Sequence, residues 1–332
     1  MYLASNVHIT FPEFKGTKRT APRKAVKFLS CNSFRCEQSW QTLTDTAQFI
    51  IAKTLYFEEK ERVFDLIKTG DPFFIEAGYN GTMEREFTGY ISEIFDGLPV
   101  VFSAEDNMYI LKRTPVNKSF KGIKLAALLK AIVPAQFKID AADIQLGDFV
   151  FKNYTVAQVL SELKDNYGIY CYFNDDTLMG GKIYADQPFS KKIVKYDFGK
   201  KNFVEDDLKY RSKNDYQLKV TMRSHLSNGK VIKVTVGDAE GQEQKLVCSN
   251  VSDKIALEKL AQKELDRLKY DGYRGTVTGF GIPFIRHGYT MNLKHPENPA
   301  RDGNYYVDAV TTTFSDQGAI RRISKIGARA AA

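Results

Sequence analysis

Apolar positions along this chain keep a period of two in some stretches and of three to four in others. In DPFFIEAGYNGTMEREFTGYI, Asp71 to Ile91, the residues Phe73, Ile75, Ala77 and Tyr79 alternate with others, the pattern of a strand with one buried face. Asn80-Gly81 supplies the two positive-φ positions of a tight type I′ turn. The return strand sets Phe87, Gly89 and Ile91 on one face and Thr88, Tyr90 and Ser92 on the other. A third strand, LPVVFSAED, aligns Val100, Phe102 and Ala104. Upstream, SCNSFRCEQSWQTLTDTAQFIIA adds strand-like material around Trp40 and Phe49 to Ala52. Residues 1–115 are expected to form a compact β unit.

The period then lengthens. In FKGIKLAALLKAIVP, Leu125, Leu128, Leu129 and Ile132 stand at helical spacing before Pro134. The stretch from Lys138 to Asp175 reads strand, helix, strand. Thr155 and Gln158 have the spacing of a capping box, Val156, Val159, Leu160 and Leu163 form the buried stripe, and Gly168 suits a left-handed helix end. Residues 116–190 therefore read as a small α/β insert.

Residues 191–250 read as a β-rich connecting domain with a hairpin tip at Asn228-Gly229. Residues 251–332 read as a second β unit carrying one helix, capped by Ser252 and lined by Leu257, Leu260, Ala261, Leu265 and Leu268. Its strands carry glycines at Gly275, Gly279, Gly281 and Gly288, with turns at Asp302-Gly303 and Gln317-Gly318. The fold class is mainly β with α+β inserts, and the two β units hint at internal duplication.

A glycine inside a strand marks a bulge, a bend or a close backbone approach. Gly89, Gly279 and Gly288 are expected to bend the two end units into small barrels, since flat strands cannot curve tightly enough to close. Tyr90, Tyr305 and Tyr306 sit where one of each alternating set must point outwards, and an outward tyrosine suits a subunit interface.

Composition narrows the function more than it defines it. The 332 residues are 43% hydrophobic and 27% charged, normal for a folded soluble protein. The formal charge is +8, with local basic stretches from Lys15 to Lys27 and from Arg321 to Arg329 read as a solvated arm and tail. No motif for specific nucleic-acid binding occurs. No apolar run approaches the roughly 20 residues that span a bilayer, and the first residues lack the pattern of a secretory signal. Cys31, Cys36, Cys171 and Cys248 lie at unrelated spacings and read as reduced thiols of a chain made in a cytoplasm.

Candidate chemistry is sparse. His8, His225, His287 and His295 stand apart and read as surface or loop residues; no metal ligand set is formed. The pairs Glu105-Asp106, Asp175-Asp176 and Asp206-Asp207 read as solvated turns rather than as the two carboxylates of a glycosidase. GFGIPF at 279–284 lacks the helix and lysine of a phosphate loop. No catalytic residue, cofactor site or metal site is expected.

EFTGYISEI followed by LPVVFSAEDNMYILKR, and the C-terminal GYTMNLKHPENPARDGNYYVDAVTTTFSDQGAIRRISKIG, resemble the two barrels of phage baseplate and tail hub proteins. This group includes the late-control D proteins and the hub part of type VI valine-glycine repeat proteins. The segment FVFKNYTVAQVLSELKDNYGIYCYF resembles the small strand–helix–strand domains of secretin N-termini. The resemblance implies a homotrimeric, non-enzymatic virion protein. Two barrels per chain would present six in a ring, matching a hexameric tail tube on one side and a trimeric spike or central fibre on the other. It also implies a tail tube protein, a separate spike or fibre protein and a tape-measure protein as partners. The sequence ends soon after the second barrel, which favours a phage-like tail over a fused type VI spike. The alternatives are a peptidoglycan- or carbohydrate-binding module and a tail-associated cell-wall hydrolase.

Overall fold

The computed structural model describes residues 4–14, 22–52, 56–57, 61–62, 67–182, 192–200, 203–226, 229–249, 251–315 and 320–330. Most of the basic arm Lys15–Lys27, Asn228 of the expected hairpin tip and the expected turn Gln317-Gly318 lie outside these residues.

The first unit contains β1 (Ser5–Phe11), β2 (Val26–Phe28), β3 (Ser33–Ser39), β4 (Thr46–Ile51), the short pair β5 (Tyr56–Phe57) and β6 (Glu61–Arg62), β7 (Pro72–Tyr79), β8 (Thr82–Phe95) and β9 (Val100–Glu105). The β7–β8 hairpin turns at Asn80-Gly81, both with positive φ, as the alternation and turn residues require. The strands lie in the order β3-β4-β9-β8-β7-β1-β2, antiparallel throughout. The inner face carries Phe11, Phe49, Phe73, Phe87 and Phe102, all buried. Phe11 on β1 reaches Phe49 on β4 at 6.4 Å between centroids, so strands well apart in the sheet order face each other across a strongly curled interior.

The middle of the chain holds β10 (Pro115–Phe120), β11 (Lys138–Ala141), β12 (Phe149–Thr155), β13 (Tyr170–Asn174) and β14 (Thr177–Gly181), with helices Met108–Leu111, Leu125–Ile132 and Val156–Tyr167. The last helix starts at Thr155 with the expected capping box and ends at Gly168, φ 63°. All the predicted stripe residues of the two longer helices enter one apolar core.

The second unit contains β15 (Ile193–Asp197), β16 (Phe203–Asp206), β17 (Lys209–Arg211), then β18 (Leu218–His225), β19 (Val231–Gly237) and β20 (Gln242–Ser249), the helix Lys254–Leu268, and β21 (Gly272–Phe280), β22 (Thr290–Lys294), β23 (Gly303–Ser315) and β24 (Arg321–Arg329). The helix is capped by Asp253, whose carboxylate accepts from Ile255 N and Ala256 N, and not by Ser252. Leu257, Ala261 and Leu265 pack on Val220, Met222, Val234 and Leu246 of β18–β20. A boundary at 250 therefore cuts through one apolar core, and residues 218–268 form a body inserted into the second unit. Leu260, expected in the stripe, is 41% exposed.

The two β units are one structure repeated in register. The second unit runs β16-β21-β24-β23-β22-β15, against β3-β4-β9-β8-β7-β1 in the first. The same bulge recurs: Ile91↔Ala104 is followed by Glu93↔Ser103, and Val307↔Ile326 by Ala309↔Lys325. Gly70 N donates to Ile91 O and Ile91 N to Asp71 O; Gly288 N donates to Val307 O and Val307 N to Tyr289 O. Gly70 and Gly288, with φ of 91° and 82°, occupy the same place in the two copies. One departure is that β15 pairs with β22 in parallel, whereas β1 pairs with β7 antiparallel.

Closed, separate barrels are not what the strands build. Both units belong to one fourteen-stranded sheet, and among the described residues no pairing joins β1 or β2 back to β3, or β15 back to β16. The units meet because the long strand β23 outruns β22 and takes β3 as its next neighbour, Ala309↔Ser39 through Ser315↔Ser33. Hydrogen bonds that a closed barrel would satisfy internally are satisfied here between the units. The stretch Arg321–Arg329, expected as a solvated tail, is β24, an interior strand of this sheet.

Candidate assembly interface

The joint between the units is held by a buried ion pair. Arg322 Nη2 donates to Glu86 Oε1 at 2.7 Å and Nη1 to Oε2 at 2.9 Å, and both side chains are 1% exposed. Thr312 Oγ1 adds a bond to Glu86 at 3.2 Å, and Arg322 reaches Gly281 O at 3.1 Å. A bulge in β8 puts Glu86 there. The register steps from Ile75↔Phe87 to Glu76↔Arg85, so Glu86 and Phe87 are both buried in succession. Arg322, Ser324 and Ile326 form the inward face of β24. Burial alone would lower the guanidinium pKa; the Glu86 carboxylate outweighs that and holds it above its usual value. The same enclosure pushes the Cys36 thiol well up, burial first and the Glu86 charge second. Tyr79 Oη donates to Ile320 O at 3.1 Å, and Phe34 of β3 stacks on Phe314 of β23 at 5.9 Å. The sequence carries a signal for this pair: Glu86 breaks the alternation beside Phe87, and Arg322 falls in phase with apolar inward positions.

A second set of contacts seats the middle α/β body on the joint. Trp40 Nε1 donates to Asp308 Oδ1 at 3.2 Å and its ring meets Tyr170 edge-on at 5.0 Å. Arg286, before β22, donates to Asn174 Oδ1 at 2.9 Å and to Asp175 at 3.2 Å, and also to the Arg85 carbonyl. One guanidinium thereby ties the β13–β14 turn, strand β8 and the second unit together. Beside it, His287 Nε2 lies 3.5 Å from Asp45 Oδ2, and Asp106 is buried against Asp45. Burial, and then the Asp45 charge, hold the Asp106 carboxyl well above the ordinary carboxylate range. His225, His287 and His295, expected at the surface or in loops, are all buried; His287 and His295 stand in loops and His225 ends β18. Asp106 and the Asp206 side chain are buried rather than solvated. No group of three or more His, Cys, Asp or Glu side chains among the described residues is placed to hold a metal.

The expected interface tyrosines divide. Tyr305 is 1% exposed and lies in the second core, its hydroxyl donating to Arg301 O at 3.0 Å. It cannot face a partner, because β23 turns odd-numbered residues inward there. Tyr90 and Tyr306 are half-buried and occupy equivalent positions of the repeat; Tyr90 stacks on Tyr109 at 5.5 Å. Gly89 is equivalent to Tyr305. A Cβ on Gly89 would stand 2.1 Å from the Glu105 carbonyl oxygen, so the first unit makes room by omitting a side chain. At Tyr305 the ladder instead gains an extra residue on β24, between Ile326 and Arg329. Gly279 lies in β21 opposite a register shift in β16, and Gly288 stands in the turn before β22.

Besides β2, bonded only to β1, and β15, bonded only to β22, two further edges of the sheet carry no further strand among the described residues. One is the line of β16 and β17, bonded only to β21. The other is the far end of β8, Ser92–Phe95, which outruns β7 and pairs only with β9. A groove of about 510 Å³, lined by Trp40, Tyr170, Tyr216 and Tyr270 with Lys164 and Arg274, opens beside the joint.

No family model matches the chain, and no curated protein does. Solved structures do. The tail protein from Neisseria meningitidis MC58 superposes with a TM-score of 0.62 at 15% identity, covering 98% of this chain and 96% of that one. The 43 kDa tail protein of prophage MuSo2 from Shewanella oneidensis gives 0.60 at 15%, covering 97% of each. An E. coli component of the type VI secretion system, itself structurally similar to T4 tail proteins gp27 and gp5, gives 0.57 at 10%, covering 91% of this chain and 74% of that one. Over nearly its whole length, then, the chain has the mainly β fold of these solved tail and secretion-system proteins.

Proposed function

We propose that this chain is the structural hub of a phage-like tail: three copies close into a ring of six β units that joins the six-fold tail tube to a three-fold spike or central fibre. The observation that carries this reading is the in-register duplication of one β unit within the chain, on a fold like that of tail proteins from end to end. Two equivalent units per chain let a trimer offer six similar faces on one side while the middle α/β bodies keep three-fold symmetry on the other. The buried polar groups serve as ties between bodies, and no reaction is assigned to them. The partners are the tube protein, a spike or fibre protein and the tape-measure protein. The location is the virion, after synthesis in the host bacterial cytoplasm.

Light scattering on the purified chain is expected to give a mass three times the 37.7 kDa protomer, and negative-stain images with tube protein are expected to show six-lobed rings. A strict monomer at assembly concentrations, with no ring, would defeat the reading. Retention on isolated sacculi without ring formation would favour a wall-binding module instead.

A further inference from the structure

The repeat relates two of the uncovered edges, the end of β8 and β17, to the two sides of the internal joint. The joint inside the chain is made where β23 outruns β22 and takes β3. The first three pairs of that joint, Ala309↔Ser39, Val310↔Gln38 and Thr311↔Glu37, have equivalents that are left open. Ile91 corresponds to Val307 through the shared bulge, so Glu93, Ile94 and Phe95 correspond to Ala309, Val310 and Thr311. Ala47↔Ala104 corresponds to Gly275↔Ile326, and Phe49↔Phe102 to Val277↔Ser324. Glu37↔Thr46 then corresponds to Lys209↔Arg274. Glu37, Gln38 and Ser39 of β3 are thus matched by Lys209, Tyr210 and Arg211.

We infer that Ser92–Phe95 of one copy pairs antiparallel with Lys209–Arg211 of a second copy of this chain, in the register of the internal joint. The pairs are Glu93 with Arg211, Ile94 with Tyr210 and Phe95 with Lys209. This rests on the hub reading and names the contact that closes its ring. Three features of the single chain support it. The first set of residues outruns β7 as β23 outruns β22, leaving backbone groups without a strand partner. Phe95 is 67% exposed and Tyr210 61%, and β17 is exposed at each of its residues. The register also sets Glu93, an acid, against Arg211, a base, in directly opposed positions where opposite charges are favourable. The two edges are complementary rather than identical, so the contact is head-to-tail, as a ring needs.

The test is cysteine pairing on the full chain. Directly opposed residues in an antiparallel pair stand within disulfide reach. Oxidation of the double variant Glu93→Cys/Arg211→Cys is expected to give an intermolecular ladder. It should be at least about tenfold stronger than that of Glu93→Cys/Glu205→Cys, which is displaced along the same edge, with the unsubstituted chain as background. A second readout uses charge: Glu93→Arg should weaken association at least about tenfold by sedimentation, and adding Arg211→Glu should restore it to within about threefold. A stable trimer that shows neither the preferred cross-link nor the rescue would overturn the edge pairing and leave the hub reading standing. A chain that stays monomeric would overturn both.

Discussion

Glu86 and Arg322 form an ion pair in which both side chains are enclosed. Replacing Glu86 with Ala leaves a guanidinium fully enclosed with its Nε already lacking a partner, and removing one member of a buried ion pair costs about 3–5 kcal/mol. Thermal unfolding should show this as a large fall in Tm. Glu86→Met with Arg322→Leu should cost much less than the sum of the single changes, because no charge is then stranded. At Gly89 the Cβ of Ala would meet Glu105 O at 2.1 Å; overpacking of this kind costs about 1–3 kcal/mol, whereas a lax surface strand would accept Ala at little cost. Asp106 gives a pH signature. Its carboxyl pKa is raised on folding by burial and by Asp45, so the stability it contributes is present below the ordinary carboxylate range and is lost as pH rises through the raised value. Asp106→Asn keeps an oxygen to accept from Met108 N, the contact now made at 3.0 Å. The variant should therefore have a higher Tm near neutral pH and a flatter curve of Tm against pH.

Helix ends and hairpin turns are local, and their residues act through local bonds. Thr155→Ala removes the hydroxyl that accepts from Gln158 N at 3.3 Å and is expected to cost about 1 kcal/mol by denaturant titration. At the Lys254–Leu268 helix, Asp253→Ala should cost a similar amount and Ser252→Ala almost nothing, because Asp253 carries both capping bonds. Both residues are good caps in isolation, and the difference lies in which one the preceding chain sets at the helix start. The strands behave differently. Period-two alternation predicts which face of β7 is buried, but at Glu86 and at Asp308 a bulge shifts the phase, and each shifted residue becomes a tie between bodies.

The first unit depends on the end of the chain. Phe314 and Ile320 belong to its apolar core, and β3 has β23 as one of its two neighbours. A chain cut after Asp302 would keep every other strand of the first unit yet expose the β3 edge and open that core. It is expected to lose cooperative unfolding of the first unit in calorimetry and to aggregate, while a fragment that could fold independently would retain a sharp transition. Folding therefore requires pairing between residues more than 250 positions apart, a slow topology.

What could be read along the chain was whatever neighbouring residues decide among themselves: the β7–β8 hairpin with its Asn80-Gly81 turn, the capped helix from Val156 to Tyr167, the mainly β class and the suspicion of duplication. Each rests on a period or on a turn chemistry spanning a few positions. The joint shows along the chain only as a charged residue out of place at Glu86 and at Arg322, and not as a pairing, because its members meet only after folding; the two are separated by 236 positions. A charged residue in sequence looks solvated until a partner encloses it, which is why Arg322 and Asp106 read as solvated groups. The same holds for barrels against one shared sheet. Local bends tell that strands curl, but which edge then meets which edge is settled by hydrogen bonding between distant strands, and that is a property of the assembled fold alone.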